Sequence, residues 1–98
     1  MLKPIKWSLS ADEDFAKLLE YLDRRWNAQV CLRFIIKLDN CIYLIQKNPN
    51  QFPVINTELQ IRKTVVTKQN SIYYREKDNR IEILRLYDSR QNPENLKL

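Results

Sequence analysis

Histidine and glycine are both absent from this chain of 98 residues. Histidine is the commonest general base near neutral pH and the commonest zinc ligand, so its absence removes both options. The absence of glycine excludes a glycine-rich phosphate-binding loop. Any chemistry must therefore use Arg, Lys, Tyr, Asp or Glu side chains, and the sequence predicts neither a cofactor nor a metal site.

Turns are marked by asparagine instead of glycine. Asn and Asp tolerate the left-handed backbone conformation better than other residues with a Cβ atom. We therefore expect turns wherever an asparagine falls between two periodic segments. These asparagines are Asn48, Asn50, Asn56, Asn70 and Asn79.

Long apolar runs and targeting signals are absent too. No apolar stretch approaches the roughly 20 residues of a membrane span, and the first residues lack the apolar segment and cleavage site of a signal peptide. The two cysteines, Cys31 and Cys41, would lie about 15 Å apart on one helix, which is too far for a disulfide. These features predict one domain over residues 1–98, without membrane contact, and buried thiols in the reducing cytoplasm.

Positive charge is in excess. The chain has 17 Lys and Arg against 12 Asp and Glu, which gives a net charge of +5 and an isoelectric point of about 9.4. Such a basic protein favours an acidic partner. Charge alone leaves open whether that partner is a nucleic acid or an acidic protein.

Two amphipathic helices are predicted in the first half of the chain. After a β-prone segment at residues 5–9, Ser10 is expected to cap the first helix, with Glu13 three residues later. Asn27 is expected to cap the second helix, which the Asn48-Pro49 pair ends. The apolar stripes at helical spacing are Phe15, Leu18, Leu19, Leu22 and Trp26 in the first helix, and Val30, Phe34, Leu38, Cys41 or Ile42, and Ile45 in the second.

The apolar face of the second helix is unusually wide. A face of this width is expected to contact both the first helix and the sheet, which makes this helix the spine of the core. The additional apolar residues that broaden it are Cys31, Ile35, Ile36 and Leu44.

Three strands rich in β-branched and aromatic residues are predicted at residues 59–68, 71–77 and 80–87. Tight turns at residues 68–71 and at Asp78-Asn79 make an antiparallel meander the simplest arrangement. The predicted fold is α+β: an antiparallel two-helix hairpin packs on a small, mainly antiparallel sheet. The element order is β-α-α-β-β-β, with the first strand beside the meander.

Cations and tyrosines alternate along these strands. In the last one, strict alternation places Ile81, Ile83, Arg85 and Tyr87 on one face. The strand arginines either converge on one surface, where they would hold phosphates beside a phenol, or divide between the two faces. Residue types alone favour the plainer alternative, a solvated face with ordinary tyrosines.

Three segments carry a family resemblance: Ile61-Arg62-Lys63, Ser71-Ile72-Tyr73-Tyr74-Arg75 and Asp88-Ser89-Arg90-Gln91-Asn92-Pro93. Together with the element order, they resemble toxins of the RelE/ParE superfamily of bacterial type II toxin–antitoxin modules, the plasmid-stabilisation type. The resemblance implies a growth-inhibiting toxin that acts on a nucleic-acid machine and is neutralised by a cognate antitoxin.

The superfamily has two activities, and the resemblance implies a different role for the same residues in each. In the RNA-cleaving branch, basic residues and a tyrosine act on the ribose 2′-hydroxyl and the phosphate. Arg62 and Arg85 match arginines of this set, and Tyr87 or Arg90 lies near the place where side chains of the terminal strand act. The His-Tyr ending of one nuclease subgroup is missing, so no proton-shuttling residue is identified.

The gyrase-inhibiting branch shares the long helical hairpin, but its usual histidine- and arginine-rich ending is replaced here by residues 88–93. Because the acid–base set is incomplete, we favour noncatalytic inhibition of DNA gyrase over ribosome-dependent cleavage of messenger RNA. An inactivated toxin that is kept as an antitoxin-binding module is a third alternative.

The resemblance also implies a partner. Antitoxins of such modules lay an acidic, partly disordered segment over the helices and sheet of the toxin, so we expect a hetero-oligomer with an acidic antitoxin. Arg85 and Arg90 are expected to serve toxicity and not folding, so that alanine at either leaves the thermal midpoint nearly unchanged. The residues expected to contact antitoxin or target are Lys17, Tyr21, Arg24, Arg25, Lys63, Tyr74 and Arg75.

Overall fold

The computed structural model describes residues 2–88, 90, 96 and 98. No helix within these residues is long and apolar enough to cross a membrane. The elements are β1 (Ile5–Trp7), α1 (Leu9–Arg25), α2 (Ala28–Lys47), one 3-10 turn (Pro49–Gln51), β2 (Val54–Asn56), β3 (Ile61–Val65), β4 (Asn70–Lys77) and β5 (Arg80–Asp88).

The described strands form one five-stranded sheet in the order β1-β5-β4-β3-β2. β1 runs parallel to β5, and all other neighbours are antiparallel. The α+β fold with its antiparallel meander is thereby confirmed. β2 was not predicted, because a strand of three residues is too short to show alternation.

The hairpin turn between β4 and β5 is made by Asp78 and Asn79, which have φ values of 54° and 61°. Two consecutive left-handed residues define the two-residue turn that suits the twist of an antiparallel hairpin. The prediction of a turn at this pair is therefore confirmed. Gln60, with φ of 57°, is a further left-handed residue, and no pattern in the sequence indicated it.

Ser8, and not Ser10, caps α1. The Ser8 hydroxyl accepts the backbone N–H of Ala11 at 3.0 Å and donates to the carbonyl of Leu84 at 2.8 Å. One hydroxyl thus satisfies an N–H group in the first turn of the helix and a carbonyl of β5. A local capping pattern cannot reveal the second contact, because Leu84 is far along the chain. The predicted cap was wrong for this reason, and β1 ends at Trp7, two residues earlier than expected.

α2 supplies the helical side of the core. Asn27 caps it as predicted, with its side-chain oxygen accepting the Val30 N–H at 3.0 Å. The prediction that Ile36 and Leu44 widen the buried face was wrong: they are 52% and 44% exposed, because nothing in the described part of the chain covers that flank. The buried residues of α2 are Phe34, Leu38 and Ile45.

Trp26 was also expected on a buried stripe, but it is 63% exposed. α1 ends at Arg25, and the backbone of Trp26 leaves the helix with φ of −123° and ψ of −103°. Its side chain therefore no longer follows the helical stripe. This places an indole at the surface of the α1–α2 junction.

The two cysteines both lie on α2 and are free. Cys31 and Cys41 are half-buried instead of buried, and each thiol lies 3.6 Å from a backbone carbonyl oxygen. Burial raises the pKa of the Cys41 thiol. A thiol with a raised pKa is a poor nucleophile at neutral pH, so Cys41 is best explained as a packing residue.

A β-bulge interrupts β5 at Leu84. In the ladder with β4, Tyr74 is paired with Ile83 and Tyr73 is paired with Arg85, which leaves Leu84 as the extra residue. A bulge puts one more residue on one strand than on its partner. Beyond Leu84, each side chain of β5 therefore lies on the opposite face of the sheet from the one that strict alternation predicts.

The bulge decides which side chains of β5 reach the core. Leu86 lies in the main core with Ile81, whereas Tyr87 packs with Tyr73 and Ile61 in a separate cluster on the other face of the sheet. The prediction that Ile81 and Tyr87 share a face was therefore wrong. Strict alternation cannot foresee a bulge, because the extra residue has no periodic signature.

Candidate functional site

A cleft of ≈ 420 Å³ lies between α1 and the C-terminal end of β5. We call it the terminal cleft. It joins two groups that the sequence analysis treated separately, the α1 residues expected to bind a partner and the terminal residues implied for catalysis. The cleft is lined by Asp14, Lys17, Leu18 and Tyr21 from α1, and by Asn70, Arg85, Leu86, Tyr87, Asp88 and Arg90.

The terminal cleft exists because β1 is short. β1 pairs with β5 only as far as Ile83, whose carbonyl accepts the N–H of Ser8 at 2.9 Å. Beyond this point the edge of β5 faces α1. There Asp14 takes the place of a strand partner, because its Oδ2 accepts the backbone N–H of Leu86 at 3.1 Å.

Arg85 and Asp14 form a two-pronged ion pair across the cleft. The Nε–Oδ2 distance is 2.7 Å and the Nη2–Oδ1 distance is 3.0 Å, and the side chains are only 18% and 17% exposed. The hydrogen bond to Asp14 is the main cause that raises the pKa of Arg85. Paired N–H donors on a carboxylate fix orientation as well as distance. This contact argues against the expectation that Arg85 serves toxicity and not folding.

A second ion pair lies at the mouth of the cleft. Arg90 Nη2 is 2.6 Å from Asp88 Oδ2, and its Nε is 3.0 Å from Oδ1. This contact raises the pKa of Arg90 and lowers the pKa of Asp88. The Tyr21 phenol makes a smaller contribution that also raises the pKa of Arg90. Of the terminal segment that carries the family resemblance, Ser89 and residues 91–93 lie outside the described residues.

Arg62 is not part of this cleft. It lies on β3, where its Nη1 donates to the carbonyls of Phe52 at 2.6 Å and Asn50 at 3.1 Å. Nearby, the Tyr74 hydroxyl donates to the carbonyl of Pro49 at 2.7 Å. Burial raises the pKa of Tyr74 to about 12. Arg62 and Tyr74 therefore hold the segment after α2 against the sheet. Arg62 does not join the other implied catalytic residues, and Tyr74, predicted to contact a partner, is buried.

Other residues predicted to bind a partner also lie away from the terminal cleft. Lys63 Nζ sits 5.8 Å from the centre of the Tyr73 ring. Arg75 Nε donates to Glu82 Oε1 at 2.8 Å, a hydrogen bond that lowers the pKa of Glu82. Arg24 and Arg25 are exposed at the end of α1. Of the predicted contact residues, the terminal cleft therefore gathers only Lys17 and Tyr21.

Asp14 is the lining residue that sequence analysis missed most clearly. The apolar stripe that begins at Phe15 leaves Asp14 on the opposite, polar face of the first helix, so helical spacing alone indicates a solvated position. Asp14, Lys17, Leu18 and Tyr21 nevertheless follow the three- and four-residue spacing of one helix face. That spacing was the available signal, but it does not say that the face meets a sheet edge. Within the described residues, no group of three or more Cys, Asp or Glu side chains is placed to hold a metal ion.

Comparison with known protein families identifies the family of this chain. The model of a family described as "ParE toxin of type II toxin-antitoxin system, parDE" matches residues 5–93. A search of curated protein sequences gave no significant match.

Solved structures with the same fold include several toxins. A chain of the chromosomal ParDE toxin–antitoxin system from P. aeruginosa superposes with a TM-score of 0.74, at 18% identity over 89% of this chain and 96% of that one. The YoeB/ParE toxin from Agrobacterium tumefaciens gives 0.62, at 16% identity over 87% and 97%.

A chain of the E. coli DinJ–YafQ toxin–antitoxin complex gives a TM-score of 0.60, at 17% identity over 90% and 93% of the two chains. At such identities, these structural similarities establish a shared fold. The family model establishes family membership, because its match at residues 5–93 includes both helices and the strands of the sheet. This chain belongs to the ParE toxin family of type II toxin–antitoxin systems.

Proposed function

We propose that this toxin arrests bacterial growth by binding and inhibiting DNA gyrase, and that it does not itself cleave a nucleic acid. The observation that carries the proposal is the Arg85–Asp14 ion pair, with its Nε–Oδ2 distance of 2.7 Å. The resemblance to the RNA-cleaving branch implies that Arg85 would face the substrate phosphate. Here it faces a carboxylate of the same chain.

The chemistry of RNA cleavage explains why this ion pair supports the proposal. Cleavage needs a base for the 2′-hydroxyl and donors that meet the developing phosphate charge. Arg62 lies outside the cleft, and the guanidinium groups of Arg85 and Arg90 are 2.7 and 2.6 Å from carboxylate oxygens. A carboxylate beside each cation repels an approaching phosphate. The arrangement therefore supports docking on a protein surface more than phosphate chemistry.

The mouth of the terminal cleft offers a surface for such docking. Tyr21 is 39% exposed, the Arg90 side chain is 57% exposed, and Lys17 is also exposed. Tyr and Arg, together with Trp, are enriched among the residues that contribute most to binding at protein interfaces. We assign these three side chains to the contact with gyrase.

An acidic antitoxin is the proposed partner that neutralises the toxin, in a cytoplasmic hetero-oligomer. The net charge of +5 suits an acidic protein. The structural relatives from P. aeruginosa and E. coli belong to a toxin–antitoxin system and a toxin–antitoxin complex, which supports the same assignment here. Arg24 and Arg25 at the exposed end of α1 are candidates for part of this contact.

Two assays on the purified chain test the proposed target. In the first, DNA gyrase acts on supercoiled and relaxed plasmid with rising toxin concentration. In the second, translating ribosomes carry a labelled messenger RNA whose cleavage is mapped. We expect loss of supercoiling or trapped DNA breaks in the first assay and intact messenger in the second.

A matched pair of variants tests the proposed surface. Arg90→Ala should weaken gyrase inhibition about tenfold if Arg90 is a central contact. Arg24→Ala is the control, because it too removes an exposed arginine paired with a carboxylate on the chain, 3.8 Å away. We expect this control to change inhibition by less than about twofold. Equal losses in both variants would show a general effect of charge and contradict the assignment.

The terminal cleft also supports one alternative. It brings Arg85, Tyr87 and Arg90 together with Lys17 and Asn70, so three of the four residues implied for catalysis share one site. Messenger cleavage at ribosomes, with DNA left intact, would establish the ribosome-dependent endonuclease in place of gyrase inhibition. Absence of both activities and of growth arrest would leave an inactivated toxin that binds its antitoxin.

A further inference from the structure

A second cleft, of ≈ 460 Å³, lies where the α1–α2 junction meets the turn between β3 and β4. We call it the junction cleft. Its apolar lining comes from Leu22 and Val30, which are half-buried, and from Phe34, which is 5% exposed. The exposed indole of Trp26 forms one wall. The cleft thus combines a deep apolar floor with an aromatic side at the surface.

Three cations surround this floor. Arg33 and Lys37 are one turn apart on α2, and Lys68 faces them from the β3–β4 turn. None of the three makes an ion pair with any described residue, and the lining contains no carboxylate. Three like charges around one cleft create a positive potential that attracts an anionic ligand.

The junction cleft differs from the terminal cleft in this respect. In the terminal cleft, Arg85 and Arg90 each hold a carboxylate of the chain, so their charge is already compensated. The two clefts meet at Asn70, which lines both. One extended segment could therefore run along α1 through both clefts. Among the described residues, the junction cleft offers it three cations without an ion pair, whereas the terminal cleft offers Lys17 alone.

We propose that the junction cleft is a docking site for an acidic peptide segment. An apolar side chain of the segment enters between Trp26 and Phe34, and flanking carboxylates meet Arg33, Lys37 and Lys68. The proposal deepens the antitoxin assignment above and rests on it for the source of the peptide. It also places the anchor at residues that the sequence analysis had not assigned to any partner.

The shape of the cleft favours a peptide over a single-stranded nucleic acid. Nucleic-acid strands are held by successive aromatic platforms on which bases stack. Among the lining residues, Trp26 alone presents an exposed ring, because Phe34 is 5% exposed. The aliphatic floor made by Leu22 and Val30 suits a single apolar side chain, and an acidic peptide supplies both the anchor and the charge.

A defined probe tests this proposal on the full chain, produced by cell-free synthesis so that toxicity does not limit yield. The probe is a short fluorescein-labelled peptide of glutamates with one central leucine, and binding is followed by fluorescence anisotropy at low salt. The second readout is the indole N–H signal in NMR spectra. The chain has two tryptophans, and we expect the Trp26 signal to shift while the Trp7 signal stays in place.

Variants with a matched control locate the binding. Lys37→Gln and Lys68→Gln should each weaken binding about threefold, as expected for an exposed charge pair. Trp26→Ala should weaken it about tenfold or more. Lys6→Gln removes an exposed lysine from β1, away from the cleft, and should leave binding unchanged. Circular dichroism checks that each variant is folded, and Arg33→Gln replaces Trp26→Ala if that variant is not.

Four outcomes would overturn the proposal. Equal weakening by Lys6→Gln and Lys37→Gln would indicate nonspecific attraction. Equally tight binding of a peptide with serine in place of leucine would exclude the apolar anchor. Tighter binding of an unlabelled oligouridylate, with a shift of the Trp26 signal, would indicate a nucleic-acid site. The fourth outcome is that the peptide does not bind at all.

These results are independent of the target. Peptide binding is measured without gyrase or ribosomes, so failure of gyrase inhibition leaves the junction cleft proposal standing. A cognate antitoxin could instead bind without shifting the Trp26 signal, and bind the Lys37→Gln variant as tightly as the unchanged chain. In that case the antitoxin assignment holds and the junction cleft proposal fails.

Discussion

Several arginines in this toxin donate hydrogen bonds to oxygen atoms of the same chain. Arg85 and Arg75 each donate to a carboxylate, at 2.7 and 2.8 Å, and Arg62 donates to a backbone carbonyl at 2.6 Å. A guanidinium has five N–H donors in one plane, so it can join segments that are distant along the chain. Residue type alone marked these side chains as candidates for phosphate binding, and their surroundings give them structural roles.

Asp14 provides the first test at this scale. Asp14→Ala leaves the Arg85 guanidinium and the Leu86 N–H without their carboxylate, so we expect a loss of about 2 to 3 kcal/mol in the free energy of unfolding. Asp12→Ala is the control, because Asp12 is exposed in the first turn of the same helix. It should cost at most about 1 kcal/mol. Urea unfolding measures both, and equal losses would mean that the ion pair does not stabilise the fold.

Tyr74 provides a test that depends on pH. Its pKa rises from 10.0 to about 12 in the folded chain because the phenol is buried. Folding therefore favours the protonated phenol, and this contribution to stability is complete below pH 10 and is lost as the pH rises towards 12. Tyr74→Phe should remove that part of the alkaline destabilisation. Tyr43→Phe, at a position 50% exposed, should retain it; an unchanged alkaline profile in Tyr74→Phe would contradict the assignment.

At the scale of the element, α2 separates a narrow buried stripe from a broad exposed apolar flank. Phe34, Leu38 and Ile45 face the sheet, and Ile36 and Tyr43 point away from it, with exposures of 52% and 50%. The helical period finds both sets, because both repeat at three- and four-residue intervals. Which set is buried depends on where the sheet lies, and the sheet is built from strands far along the chain.

Substitution of Phe34 tests which apolar residues of α2 are buried. Phe34→Ala should lower the free energy of unfolding by about 3 to 5 kcal/mol, because the ring is 5% exposed and its removal leaves a cavity. Ile36→Ala on the same helix is the control and should cost less than about 1 kcal/mol. Chemical unfolding monitored by circular dichroism compares the two. A small loss for Phe34→Ala would place the ring outside the core.

At the scale of the whole molecule, charge is distributed unevenly around α1. In the terminal cleft, Arg85 and Arg90 are paired with carboxylates, which leaves Lys17 as the cation there without an ion pair to a described residue. The junction cleft carries three such cations. An acidic partner is therefore attracted most strongly to one end of the helical hairpin. This arrangement keeps the surface proposed for gyrase apart from the anchor proposed for the antitoxin.

Salt dependence tests the contribution of charge to antitoxin binding. We expect the dissociation constant for an acidic antitoxin to rise with ionic strength, because exposed charges are screened over about 10 Å at 0.1 M salt. Titration calorimetry over a series of salt concentrations measures the slope. The triple variant Arg33→Gln, Lys37→Gln and Lys68→Gln should flatten it. Binding that does not change with salt would mean that apolar burial dominates the complex.

Features with local causes could be predicted from the sequence alone. Helical spacing located α1 and α2, and Asn27 marked the start of the second helix because its side chain caps a residue only three positions away. Asp78 and Asn79 marked the hairpin turn because they tolerate positive φ. The segments around Arg62 and Tyr74 carried the family resemblance, which the family model then bore out.

The tertiary structure decided everything that depends on residues far apart in the chain. Ser8 became the helix cap because its hydroxyl also reaches Leu84, and Arg85 became a structural contact because Asp14, 71 positions away, meets it across the cleft. The bulge at Leu84 set the phase of β5 beyond it. Such contacts form only when packing brings remote segments together. Their stability depends on the whole folded core, so no single stretch of sequence predicts them.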